Sequence, residues 1–153
     1  VLLAVPVAPR PLVVGKWLAT WVTTLVLVAP AGLVVVLVHL WGTPDNGPAI
    51  TGFVGLALMG ATLAAVGVLA SALTASQPVA AMVAMSAALV LWFAHVGSEA
   101  VSTGSVLAAV SLSERLRTFA GGAIDSADVA FFAGAVIGAL ALACLALDLR
   151  RLR

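Results

Sequence analysis

Four long runs of apolar residues, separated by short clusters of polar and helix-breaking residues, set the pattern of the chain. About 20 mostly apolar residues in a helix cross the ~30 Å hydrocarbon core of a bilayer. The runs predict four such spans, at about 17–40, 50–73, 78–97 and 129–147. Pro30 falls inside the first, where a span tolerates it and a kink is expected. Pro78 opens the third, where its missing N–H costs nothing. The linkers differ in kind. The stretch "GTPDNGP" (42–48) reads as a polar turn, and "TASQ" (74–77) as a tight turn between antiparallel helices. The segment 98–128 mixes apolar Val106, Val110, Leu112, Leu116 and Phe119 with polar residues. It is too polar to span and too apolar for a solvated loop. A short interfacial or re-entrant helix fits it, with an irregular outer loop as the alternative. The Gly-Gly pair at 121–122 would break that helix, and "DSAD" (125–128) offers Ser126 or Asp128 as N-cap to the last span.

Composition turns these runs into a fold class. The chain is 63% apolar and 8% charged, against roughly 45–50% and ~25% in soluble domains. A chain of 153 residues leaves too much surface exposed to hide that surplus from water. The expectation is an all-α membrane protein with one transmembrane domain over 1–153. The chain opens on Val1, already inside an informative stretch, so the reading is of an N-terminally truncated fragment; residues 1–9 lack the pattern of a signal peptide. Cys144, the one cysteine, reads as packing. A net charge of +1 offers no basic patch for nucleic acid.

Charge placement orients the spans. Arg10 and Lys16 precede the first, and Arg150, Arg151 and Arg153 follow the fourth, so an even number of crossings puts five of the seven basic residues on one side. That side is expected to be the cytoplasm. The other side collects Asp45, Glu99, Glu114, Asp125 and Asp128, with Arg115 and Arg117 against the trend. Trp17 and Trp21 then fall near the inner interface and Trp41 near the outer one, as in an aromatic belt.

Candidate chemistry is sparse. Small residues line the second span (Gly52, Gly55, Gly60, Ala64, Gly67, Ser71), and Gly134 and Gly138 form a GxxxG in the fourth. Such faces let helices approach closely in lipid, within one bundle or across a seam between two copies. His95 and Glu99 share a helix face, and His39 lies at the outer end of the first span. An interfacial histidine or a His–Glu hydrogen bond is the plainer reading, and two groups do not make a metal site. No phosphate loop, cysteine pair, GxSxG or HExxH occurs. No catalytic, cofactor-binding or metal residue is therefore assigned. No charge lies mid-span, so an energy source is expected on another chain.

Three stretches resemble the permease subunits of ABC-2 type transporters, nearest to the branch with gliding-motility and copper-processing permeases. The opening stretch carries Leu2, Leu3, Pro6, Val7, Arg10, Leu12, Val13, Gly15 and Lys16. The stretch "GVLASALTASQPVAA" (67–81) is similar to the family's inner turn at Gly67, Ser71, Thr74, Ser76 and Gln77. The stretch 111–132 resembles its outer segment at Phe119, Gly122, Asp125, Asp128 and Val129. The resemblance implies spans three to six of a six-span permease with a cytoplasmic C-terminus in the inner membrane. It implies a cytoplasmic segment (1–16, with Leu3, Pro6, Arg10, Gly15 and Lys16) that docks a separate ATP-binding subunit. There Arg10 and Lys16 would meet acidic groups or lipid phosphates. It implies an outer re-entrant segment holding Glu114, Arg117, Phe119, Gly122, Asp125 and Asp128, and a second permease copy as partner. No cofactor is expected on this chain, and the substrate is not legible. Two rivals stand beside this reading. One is a membrane scaffold or assembly factor that moves nothing. The other is a membrane enzyme or ion carrier using His39, His95 and Glu99.

Overall fold

The computed structural model describes the backbone of residues 9–42, 46–100 and 111–151, and the side chains of all these except 9, 95–100 and 151. The described residues form five helices: α1 (Pro9–Trp41), α2 (Asn46–Leu73), α3 (Gln77–Ala100), α4 (Leu112–Ala120) and α5 (Ser126–Arg151). No strand occurs among the described residues. Four of the helices, all but α4, are long and apolar enough to cross a membrane. The chain is an all-α, multi-pass membrane protein.

The first helix begins earlier than the apolar pattern predicts. It starts at Pro9, not near residue 17, and runs unbroken through Lys16 and Pro30. The first four N–H groups of a helix have no partner within it, so Pro9 and Pro11 occupy its first turn without losing a hydrogen bond. Arg10, Gly15 and Lys16 thus ride on the same rod as the first span and do not form a separate segment. Leu3 and Pro6 lie outside the described residues. At 33 residues, α1 is about 50 Å long, more than the hydrocarbon core needs.

Helix α2 is the centre of the bundle and touches α1, α3, α4 and α5. Its composition explains why. Its buried positions are Thr51, Gly55, Gly60, Ala61, Thr62, Ala64, Ala65, Val68, Ala70 and Ala72, all but Val68 and the threonines being Gly or Ala. Small side chains let neighbours come close where lipid removes the usual hydrophobic drive. Indole contacts give the register between α1 and α2. Trp17 Nε1 donates to the Ala61 carbonyl and Trp21 Nε1 to that of Ala57, each at 2.9 Å, so the helices run antiparallel. The two tryptophan rings stack at 5.4 Å. They are turned inward as an interhelical clamp, beyond the belt role expected of them.

Two packed clusters mark the ends of the bundle. One joins Val13, Val68, Ala72 and Ala143, with Trp17, Cys144 and Leu147 against it. Cys144 is a packing residue, as its surroundings predict. This end carries Lys16 and Arg150 and is called the basic end below. The other cluster joins Leu112, Phe119 and Phe132, with Leu58, Met59 and Phe131 against it. It lies at the acidic end, where α4 docks. Between the ends the outer surface is apolar: Val26, Leu27, Leu33, Met82, Val90 and Ile137 are all exposed. That is a lipid-facing surface.

Candidate functional site

At the basic end, α1 meets the α2–α3 junction. Lys16 Nζ donates to Ser71 Oγ at 2.7 Å. Arg150 Nη1, from the end of α5, reaches the Thr74 carbonyl at 3.5 Å. Ser76 Oγ accepts from the Val79 N–H at 3.4 Å and caps the start of α3. Beside these groups lies a cavity of about 480 Å³ lined by Lys16, Ser71, Thr74, Ser76, Gln77 and Ala80. The short turn expected at "TASQ" is there, with α3 opening at Gln77. Arg10 and Gly15 are exposed on α1, while Val13 between them is buried.

The acidic end is built around α4, the short helix that the mixed pattern of 98–128 predicts; residues 101–110 of that segment lie outside the described residues. Its sequence alternates so that Leu112 and Phe119 face inward while Glu114 and Arg117 stay in solvent. Ser111 caps its start, accepting from the Glu114 N–H at 3.5 Å. Ser113 Oγ donates to the Trp92 carbonyl of α3 at 2.9 Å. The Gly-Gly pair ends the helix, with Gly122 at φ +85° beside Pro48, a conformation that favours glycine. Thr51 Oγ1 of α2 lies 2.6 Å from the Phe119 carbonyl and 2.9 Å from that of Gly47.

Asp125 and Asp128 take different roles from those the sequence suggests. Asp125 accepts from the Ala127 N–H at 2.9 Å and is the cap of α5, not Ser126 or Asp128. Asp128 is freed for an ion pair. Its Oδ1 lies 2.5 Å from Arg115 Nη1, with side-chain exposures of 10% and 19%. The Arg115 guanidinium also sits 4.0 Å from the centre of the Phe131 ring. Thr51 is not singled out by sequence reasoning, and Arg115 is noted there for its charge alone. A signal for Arg115 does exist: it breaks the charge bias between the two sides, and a buried acid answers it thirteen positions on.

The small-residue positions separate into two sets. A Cβ at Gly55 would sit 2.8 Å from Phe119 Cβ, and one at Gly60 would sit 3.0 Å from Thr24 Cγ2. Ala64 is buried. Among the described residues a Cβ at Gly67, Gly134 or Gly138 would meet nothing within 4 Å. Gly60→Val is therefore expected to cost about 1–3 kcal/mol by forcing α1 off α2. Gly134→Ala should stay within about 0.5 kcal/mol of wild type. Thermal unfolding of both variants in one detergent checks the contrast.

His39 has a plain structural account. Its Nδ1 lies 2.7 Å from the Val35 carbonyl and its Nε2 against Asn46 Oδ1, tying the end of α1 to the start of α2. The side chains of His95 and Glu99 lie outside the described residues. Compared with known proteins, the chain matches no family model, no curated protein and no solved structure.

Proposed function

We propose that this chain is a membrane-spanning permease subunit of an ATP-driven transporter of the ABC-2 type, seated in the cytoplasmic membrane with its C-terminus inside. The observation that carries the reading is the Lys16–Ser71 hydrogen bond. It joins two stretches 55 residues apart, and each stretch separately resembles the family's inner elements. A docking surface for a separate ATP-binding subunit would have to be composite in this way, with α1 and the α2–α3 junction presented together. Val13, buried against Val68, Ala72 and Ala143, locks that end of α1 to the bundle, so a push there is transmitted to the spans. ATP on the partner would favour one of two packings of two such bundles. The chain itself would carry no catalytic step, and the substrate stays open.

The test is purification of the full-length protein from native membranes in mild detergent. An ATP-binding subunit in near-equal amount, with ATP hydrolysis by the complex, is the expected result. Its clean absence from a folded protein would favour a scaffold. Arg10→Glu sharpens the assignment: insertion is expected to be normal and ATPase association to fall several-fold, since Arg10 is exposed on the first turn of α1. Unchanged association would remove Arg10 from the contact.

A further inference from the structure

The basic end holds two cations that share one junction and form no ion pair among the described residues; the carboxylate at this end, Asp148, stands exposed on α5 two positions before Arg150. Lys16 bonds to the side chain of Ser71, and Arg150 to the carbonyl of Thr74, three residues on. Among the described residues no carboxylate forms an ion pair with either; the pairs there join Arg115 with Asp128 and Arg117 with Glu114, both at the far end. An ammonium on a membrane span is costly unless paired or solvated, and the long lysine stem lets its head reach the interface.

Depth decides what can supply the missing charge. Helix α2 has 28 residues, about 42 Å, which matches a bilayer with its headgroup layers. Its end at Leu73, and the turn to Gln77, therefore lie in a headgroup layer. The anion concentrated there is the phosphodiester of a phospholipid. The cavity of about 480 Å³ beside Lys16 opens at this level, and its lining is hydroxyl and amide: Ser71, Thr74, Ser76 and Gln77. Ser76 Oγ accepts from a backbone N–H, which leaves its own proton to donate. Lys16 has three N–H donors, one of which is directed at Ser71.

We propose that this cavity binds the phosphate of an anionic phospholipid, with Lys16 as the primary cation and Ser71 and Ser76 as hydroxyl partners. Arg150 supplies selectivity on the flank. It attracts a lipid of net negative charge and repels the choline of a zwitterionic one. Basic pockets between spans are a recurring form of headgroup recognition. The bound lipid would bridge α1 to the α2–α3 junction and strengthen the contact that Lys16 and Val13 make there. This inference does not depend on an ATPase partner, and its test contains no ATP.

The full-length protein, purified in mild detergent, is titrated with dioleoylphosphatidylglycerol or dioleoylphosphatidylcholine, and retained lipid is read by native mass spectrometry. Wild type is expected to retain phosphatidylglycerol in preference. Lys16→Gln should lower that retention about fivefold, the worth of one interfacial cation. Ser71→Ala should lower it less, and Arg117→Gln, at the other end, not at all. Equal retention of the two lipids by wild type overturns the proposal, and this arm needs no variant to fold. A Lys16→Gln protein that keeps the wild-type preference overturns it too. Displacement of the lipid by inorganic phosphate at matched concentration would overturn the lipid assignment in favour of a free anion.

Discussion

Replacing Asp128 with alanine is expected to cost about 3–5 kcal/mol, the range for removing one partner of a buried ion pair. The size follows from where the other partner is left. Arg115 is 19% exposed at its side chain and lies 4.0 Å from the centre of the Phe131 ring. Without the carboxylate the guanidinium loses its 2.5 Å ion pair while it stays in a partly buried niche between α4 and α5. The pair is also the polar link across the Gly-Gly turn, so α4 should loosen with it. Thermal unfolding in detergent reads the loss. The double variant Arg115→Met with Asp128→Leu is expected to recover most of it, since apolar replacement of a buried pair is often near neutral. The exposed pair on the same helix provides the contrast. Arg117 and Glu114 stand 3.7 Å apart with side chains 81% and 53% exposed, and alanine at either should be close to silent. If Asp128→Ala were equally silent, the pair would be solvated and α4 would be held by its apolar face alone.

Much of the architecture is legible in the sequence because lipid imposes a length rule. An apolar run of about 20 residues reads as a span whatever its neighbours do, and the four runs here each become a long helix. The short α4 is legible for a related reason: its mixed pattern fits neither lipid nor water. The start of α1 is not, because proline reads as a breaker unless the first turn is known in advance, and Pro9 and Pro11 fall in it. The roles of the glycines are hidden for a deeper reason. Gly55 and Gly134 sit in similar small-residue patterns, and only the topology decides that one faces α4 and the other faces outward. At the candidate site, Lys16, Ser71, Thr74 and Ser76 each stand out in the sequence one by one, as a cation before the first span and as polar residues at the end of the second and in the turn after it. Their meeting does not, because it depends on the register that Trp17 and Trp21 impose on α1 against α2.

Gly55→Val is expected to undock α4 while leaving the rest of the bundle in place. A Cβ at residue 55 would lie 2.8 Å from Phe119 Cβ, 2.9 Å from its Cγ and 3.0 Å from Leu116 Cδ1. Leu116 can rotate away, but Phe119 Cβ is fixed to the backbone of α4, so the helix itself must move. Moving it breaks the contact of Thr51 Oγ1 with the Phe119 carbonyl and separates Phe119 from Phe132, whose rings lie 6.2 Å apart. Alanine, the smallest intruder, should cost about 1–3 kcal/mol by overpacking, and valine more. Hydrogen exchange localises the effect. Amides of 112–120 are expected to lose protection in Gly55→Val, while those of α5 around Ala143, in the separate cluster at the basic end, keep theirs. Gly52 is the control, since a Cβ there meets nothing within 4 Å; Gly52→Ala should be neutral or slightly stabilising, as alanine favours a helix over glycine. If Gly55→Val kept wild-type protection over α4, the close approach would not hold that helix, and its docking would rest on Arg115 and Asp128.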